Sequence, residues 1–160
     1  MSVLADPLDK IMDWSRARAW RSTVAGRLAF TNGVFDLLHP GHIDVLLGAR
    51  GRADALMVGV NSDDSVRRLK GPGRPVCAVA ERCYVLAALF MVDSIVVFDE
   101  DTPLELVTAI RPDVLVKGGD YNEASIVGAR EVRAWGGDVV VIPLSPGHST
   151  TSTIERLRER

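Results

Sequence analysis

Phe30-Thr31-Asn32-Gly33-Val34-Phe35-Asp36-Leu37-Leu38-His39-Pro40-Gly41-His42 reads as a buried strand, a glycine turn and the mouth of a helix that carries two histidines. Three residues apart on a helical turn, the two imidazoles can face one ligand. Each can donate a hydrogen bond to a phosphate oxygen, beside the free N–H groups and the positive dipole end of the helix. Pro40 suits the first helical turn, where its missing N–H costs nothing. The arrangement suits holding a nucleotide's phosphates while another group attacks them. A metal site is the competing functional reading, with His148 and nearby acids as further ligands. Two surface histidines is the plain one.

Outward from this stretch, short apolar β-branched runs alternate with amphipathic ones. Strands are expected at 28–31, 55–60, 94–98, 114–117 and 139–142. Helices are expected at 41–50, with Ile43, Leu46 and Leu47 on one face, and at 81–91, with Val85, Leu86 and Leu89 facing inward. Further helices are expected at 103–110, opened by Thr102 as N-cap and Pro103 at its first position, at 125–135, stopped by Gly136-Gly137, and at 149–158. Nearly continuous apolar strands suit a parallel sheet covered on both faces. The pattern is α/β, a Rossmann-like, doubly wound, five-stranded parallel sheet with helices on both faces. Ligands then sit outside the carboxyl ends of the strands, where Asn32, Asn61, Phe98 and Lys117 fall. Residues 27–160 form this domain. Residues 1–26 stand apart, with Leu8, Ile11, Met12, Trp14 and Trp20 suggesting an amphipathic helix packed on it.

A chain of 160 residues, 47% of them apolar, is a globular domain with its own core. The net charge of −2 argues against a general nucleic-acid binder, yet leaves room for a local basic pocket that takes a small phosphorylated ligand. No apolar run is long enough to span a membrane, and no signal-peptide order opens the chain, so cytoplasmic residence is the default. Cys77 and Cys83 are too few for a disulfide scaffold or a four-cysteine zinc site, and Cys83 reads as core.

Three further stretches carry chemistry. Lys117-Gly118-Gly119-Asp120-Tyr121 follows a strand: its glycines admit a ligand to the backbone, Lys117 supplies a cation, and Asp120 can accept from sugar hydroxyls. A plain turn is the alternative. In Gly147-His148-Ser149-Thr150-Thr151, Ser149 and Thr150 can cap the last helix and offer hydroxyls and N–H groups to an anion. Asn61, Ser62 and Asp63 end the second strand, and Lys70-Gly71-Pro72-Gly73-Arg74-Pro75 reads as a mobile basic loop. Arg67 and Arg68 read as a solvated face. Arg74 and Arg82 are anion-binding candidates, Arg82 because a helix N-terminus disfavours a cation unless a phosphate offsets it.

The chain resembles the nucleotidyltransferase superfamily whose signature is His-x-Gly-His on a Rossmann-like sheet, from about Arg27 to Ile154, with the motifs in the family's order. Val116-Lys117-Gly118-Gly119-Asp120-Tyr121 is most similar to the heptose-phosphate adenylyltransferase branch, and without a kinase half the chain looks like its stand-alone form. The resemblance implies transfer of AMP from ATP to D-glycero-β-D-manno-heptose 1-phosphate, with Mg²⁺ on the triphosphate. It places His39, His42, Lys117 and mobile Lys70 in catalysis. Thr31, Asn32, Gly33, Phe35, Asp36, Gly41, Arg82, Gly118, Gly119, Asp120, Ser149 and Thr150 fall on the nucleotide, and Asn61, Asp63 and Tyr121 on the sugar. Asp36 either holds the glycine turn or reaches the metal through water. No nucleic acid or membrane partner is implied, and a homodimer or larger homo-oligomer is. The rivals are a cytidylyltransferase for glycerol phosphate, which has an arginine just before the Ser-Thr-Thr run where this chain has none, and a non-catalytic nucleotide sensor.

Overall fold

The computed structural model describes residues 6–119, 121–144 and 146–159. The described strands are β1 (Ile11–Met12), β2 (Leu28–Gly33), β3 (Ala55–Asn61), β4 (Ser94–Phe98), β5 (Val114–Gly118) and β6 (Asp138–Ile142). All pair in parallel in one sheet, ordered β1-β4-β3-β2-β5-β6. The sheet therefore has six strands where the sequence predicts five. The addition lies in the stretch expected to be helical: Ile11 and Met12 pair with Ile95 and Val96 at the sheet edge. Two residues are too few to show a period-2 pattern.

The helices are α1 (Trp14–Thr23), α2 (Pro40–Arg50), α3 (Asp63–Lys70), α4 (Val79–Ala87), α5 (Leu104–Ile110), α6 (Ala129–Ala134) and α7 (Thr150–Arg158). β3 is buried at every position, which accounts for its unbroken apolar run. β2 shows the alternation beneath such a run. Leu28 and Phe30 enter one core, with Ala17 of α1, Leu106 and Ile110 of α5 and Val132 of α6. Ala29 enters the other, with Leu46 and Ala49 of α2 and Leu86 and Ala87 of α4. Each fully buried leucine contributes about 1.5–3 kcal/mol, so Leu46→Ala would cost about 2–5 kcal/mol, cavity included.

Four local expectations are corrected. Leu47 and Val85 point outward, 44% and 49% exposed, because each lies about 100° round the helix from the buried Leu46 and Leu86. The helix expected at 125–135 is instead a 3₁₀ turn at Glu123–Ser125 followed by α6. Gly128, at φ 89°, separates them, since a left-handed residue cannot continue a right-handed helix. Pro103 is the N-cap of α5 and not its first residue.

The chain leaves β2 towards β3 on one side and β5 pairs with β2 on the other. The ends of β2 and β5 thus flank a topological switch point, where a crevice opens.

Candidate active site

A cavity of about 480 Å³ fills that crevice. Its walls are the loop after β2, the first turn of α2, the end of β5, the start of α7, Lys70 at the end of α3 and Arg74 from the segment after it.

The loop after β2 is strained. Phe35 and Leu37, at φ 51° and 52°, are left-handed without being glycine, at roughly 1–2 kcal/mol each. Asp36 between them anchors the loop. Its buried carboxylate accepts from the backbone N–H of Val76 (2.8 Å) and Cys77 (3.0 Å) and from Arg74 Nε (3.0 Å). Burial pushes this carboxyl's pKa up, but the two N–H groups and the guanidinium together hold it below its ordinary value. Asp36 is thus a tie between two loops, and its oxygens are occupied.

His39 is the N-cap of α2, and its backbone N–H donates to His42 Nδ1 at 3.4 Å. With Nδ1 accepting, the proton of neutral His42 sits on Nε2 as a donor. The two rings stack, centroids 3.8 Å apart and planes at 23°. Burial lowers the pKa of His42 to about 4, aided by His39 and opposed by Asp36. Burial, with the charge of His148, also lowers that of His39. Near pH 7 His42 is a neutral hydrogen-bond donor and not a cation. His39 Nδ1 is buried with no hydrogen-bond partner among the described residues, which is uncommon in a protein interior. Gly41 leaves this ring its place: a Cβ there would lie 3.0 Å from His39 Cε1, and the ring would have to shift by a few tenths of an ångström.

Lys117 supplies the cation. Its Nζ donates to Asn32 O at 3.2 Å and to Asn32 Oδ1 at 3.1 Å. Among the described residues no carboxylate pairs with it. Burial lowers its pKa to about 8, so it stays mostly charged at pH 7. Gly118 lets β5 approach α2, for a Cβ there would fall 2.1 Å from Val45 Cγ2.

At α7 the Ser149 Oγ accepts from Ser152 N and donates to Ser152 Oγ, both at 3.0 Å. Thr150 Oγ1 donates to Asp36 O at 2.6 Å. Both hydroxyls expected to meet a ligand are therefore engaged, that of Ser149 in capping α7 and that of Thr150 in tying the helix start to the β2–α2 loop. What α7 offers an anion is its first backbone N–H groups.

The structure gathers Thr31, Asn32, Gly33, Phe35, Asp36, His39, Gly41, His42, Lys70, Lys117, Gly118, Tyr121, Ser149 and Thr150 around the cavity. Gly119 adjoins it, at φ 113°, next to Tyr121. Asp120 lies outside the described residues. Asn61, Asp63 and Arg82 do not line it. Asn61 is buried, its Nδ2 on Ser65 Oγ. Arg82 is corrected from anion ligand to internal tie: its guanidinium donates to the carbonyls of Cys77 (3.0 Å), Val34 (2.7 Å) and Asn61 (2.9 Å) and to Asp63 (2.8 Å). Asp63, not a phosphate, offsets the helix dipole there. Arg74, His148, Thr151 and Leu144 also line the cavity. The basic glycine-rich loop signals Arg74, the alternative metal reading names His148, and Thr151 is signalled only by adjoining the Ser-Thr pair.

A protein-held cation does not fit this site. Among the described residues no cluster of three His, Cys, Asp or Glu could hold a metal, and Asp36, the one carboxylate lining the cavity, is occupied. No described helix is long and apolar enough to cross a membrane.

The model of the cytidylyltransferase-like family matches residues 30–156. The bifunctional protein HldE of Acidiphilium cryptum is 59% identical over 142 residues, 89% of this chain and 29% of that protein. The protein of the same name from Hyphomonas neptunium is 53% identical over 151 residues, 94% of this chain and 30% of that protein. The chain thus spans less than a third of the length of these relatives. Among solved structures, the lipopolysaccharide core biosynthesis protein of Thermoplasma volcanium superposes with a TM-score of 0.61 at 27% identity, over 76% of this chain and 98% of that one. Pantoate-β-alanine ligase of Francisella tularensis shares the fold, with a TM-score of 0.61 at 14% identity, over 93% and 76%.

Proposed function

The chain belongs to the cytidylyltransferase-like family and is a nucleotidyltransferase, and on that premise we propose that it transfers AMP from ATP to D-glycero-β-D-manno-heptose 1-phosphate, giving ADP-heptose and pyrophosphate. The observation that carries this reading is Lys117, a half-buried ammonium with no carboxylate partner among the described residues, facing the same cavity as the His39–His42 pair. Such a cation waits for an anion. The Val116–Tyr121 run around Lys117, the HldE relatives and the lipopolysaccharide core biosynthesis neighbour support a heptose phosphate as acceptor.

The acceptor is already an anion, so attack needs no general base. An oxygen of the sugar phosphate forms a bond to the α-phosphorus of ATP. The bond from that phosphorus to the bridging oxygen breaks on the opposite side, and its electron pair leaves with pyrophosphate. Charge builds on the equatorial oxygens of the α-phosphate. Lys117 meets it as a cation, His42 and His39 as hydrogen-bond donors in a fixed geometry. The start of α7 receives the leaving pyrophosphate. Lys70, exposed at the rim, approaches the triphosphate from outside. With no carboxylate free among the described lining residues, Mg²⁺ would enter as part of the substrate MgATP.

The test is pyrophosphate release from the purified chain with Mg²⁺, heptose 1-phosphate and each of ATP, CTP and GTP. Release with ATP alone is expected. Release with CTP alone would replace adenylyl by cytidylyl transfer, and ATP binding without release for any sugar phosphate would mean a sensor.

A further inference from the structure

We propose that His148 is a further catalytic residue, whose imidazole donates a hydrogen bond to the pyrophosphate as it leaves. The inference rests on the nucleotidyl-transfer reading above and adds a side chain to it. When the bond to the α-phosphorus breaks, the departing bridging oxygen gains negative charge and needs a donor at that moment. The hydroxyls of Ser149 and Thr150 line the cavity but are committed, to Ser152 Oγ and Asp36 O. Freeing either would release the cap of α7 or its tie to the β2–α2 loop.

His148 is the next side chain along, and three observations place it. It lines the same cavity as His39, His42 and the start of α7. Its carbonyl oxygen stands 4.0 Å from the point a Gly41 Cβ would occupy, so its backbone lies against the first turn of α2. Its charge opposes protonation of His39, so the two imidazoles are within electrostatic reach. His148 therefore bridges the α-phosphate side, held by α2, and the leaving-group side, at α7. Its backbone is held from the C-terminal side: Ser149 caps α7, and Thr150 is tied to Asp36. The step balances without proton transfer. The electron pair of the broken bond stays on pyrophosphate, and the proposed imidazole N–H donor keeps its proton. The other groups around this position are His42, Lys70, Arg74 and Lys117, and the carboxylate of Asp36, already bound to Arg74.

The experiment is calorimetric binding of inorganic pyrophosphate and of AMP, each with Mg²⁺, to the purified chain and to His148→Ala and His148→Gln. No acceptor is present, so an error in the heptose assignment does not affect the outcome. The expected result is pyrophosphate affinity about tenfold weaker in His148→Ala, AMP affinity within twofold of the parent, and partial recovery in His148→Gln, which keeps an N–H donor. Pyrophosphate affinity unchanged in His148→Ala would overturn the proposal. So would equal loss for both ligands, which would assign His148 to the α-phosphate or to the general shape of the pocket. His148 is exposed, so neither substitution should lower the unfolding temperature.

Discussion

The imidazoles of His39 and His42 stack at a centroid distance of 3.8 Å. Two imidazolium cations at that separation would repel by about 4 kcal/mol at an effective dielectric constant of 20. The two rings are therefore not charged together, and on the proposed reading the cationic role falls to Lys117.

This division predicts two titrations of the free protein. NMR titration of the His42 ring should give a pKa of about 4, and a value near 6.5 would contradict the buried, stacked arrangement. On the alkaline side, kcat/KM should fall as pH rises through about 8, where Lys117 loses its proton. The substrates' phosphates titrate at lower pH, so this limb belongs to the protein. For stability the His42 sign is the opposite of an ion pair's. Its folded pKa lies below its unfolded one, so the unfolded chain binds more protons between about 4 and 6.5. Stability on this account falls as pH drops through that window.

Lys117→Met should separate stability from activity. Burial of an ammonium without a carboxylate partner is unfavourable to folding, so removing it should raise stability by on the order of 1 kcal/mol. Turnover should drop by about 10²–10³-fold. Thermal unfolding and pyrophosphate release on the same sample check both, and unchanged turnover would remove Lys117 from the site.

Gly41→Ala adds a single methyl against the His39 ring, at 3.0 Å from Cε1. Alanine favours the helix by up to about 1 kcal/mol, so stability should hold or rise. The displaced ring should lower kcat by about 10- to 100-fold. Parental kcat in a well-folded Gly41→Ala chain would show that the stacked geometry is dispensable.

Arg82→Gln should act through the fold. It leaves the carbonyls of Val34, Asn61 and Cys77 and the carboxylate of Asp63 without their donor. The expected cost is about 3–5 kcal/mol, read by denaturant unfolding. A weaker KM for ATP with stability intact would instead restore Arg82 as a phosphate ligand.

The sequence made the sheet and most of the cavity legible because their signals are local. Phe30 to His42 carries a strand, a turn and a helix start within thirteen residues, and strands covered on both faces announce themselves as apolar runs. Side chains whose partners are distant in sequence were not legible. Asp36 meets residues about 40 positions away, and Arg82 meets Val34, 48 positions away. Nothing near Arg82 in the sequence distinguishes a tie from an anion ligand. Ser149 and Thr150 were nominated for their hydroxyls, yet Thr150 bonds to Asp36 O, 114 positions away. In each case the residue type was informative, and its commitments were set by tertiary contacts.

The most direct test is single-turnover transfer of AMP from ATP to heptose 1-phosphate by the parent chain and by His39→Ala, with unfolding temperatures compared on the same preparations. The account predicts an ADP-sugar product from the parent and a rate at least about 10²-fold lower in an equally stable His39→Ala. Transfer at the parental rate by folded His39→Ala would contradict it.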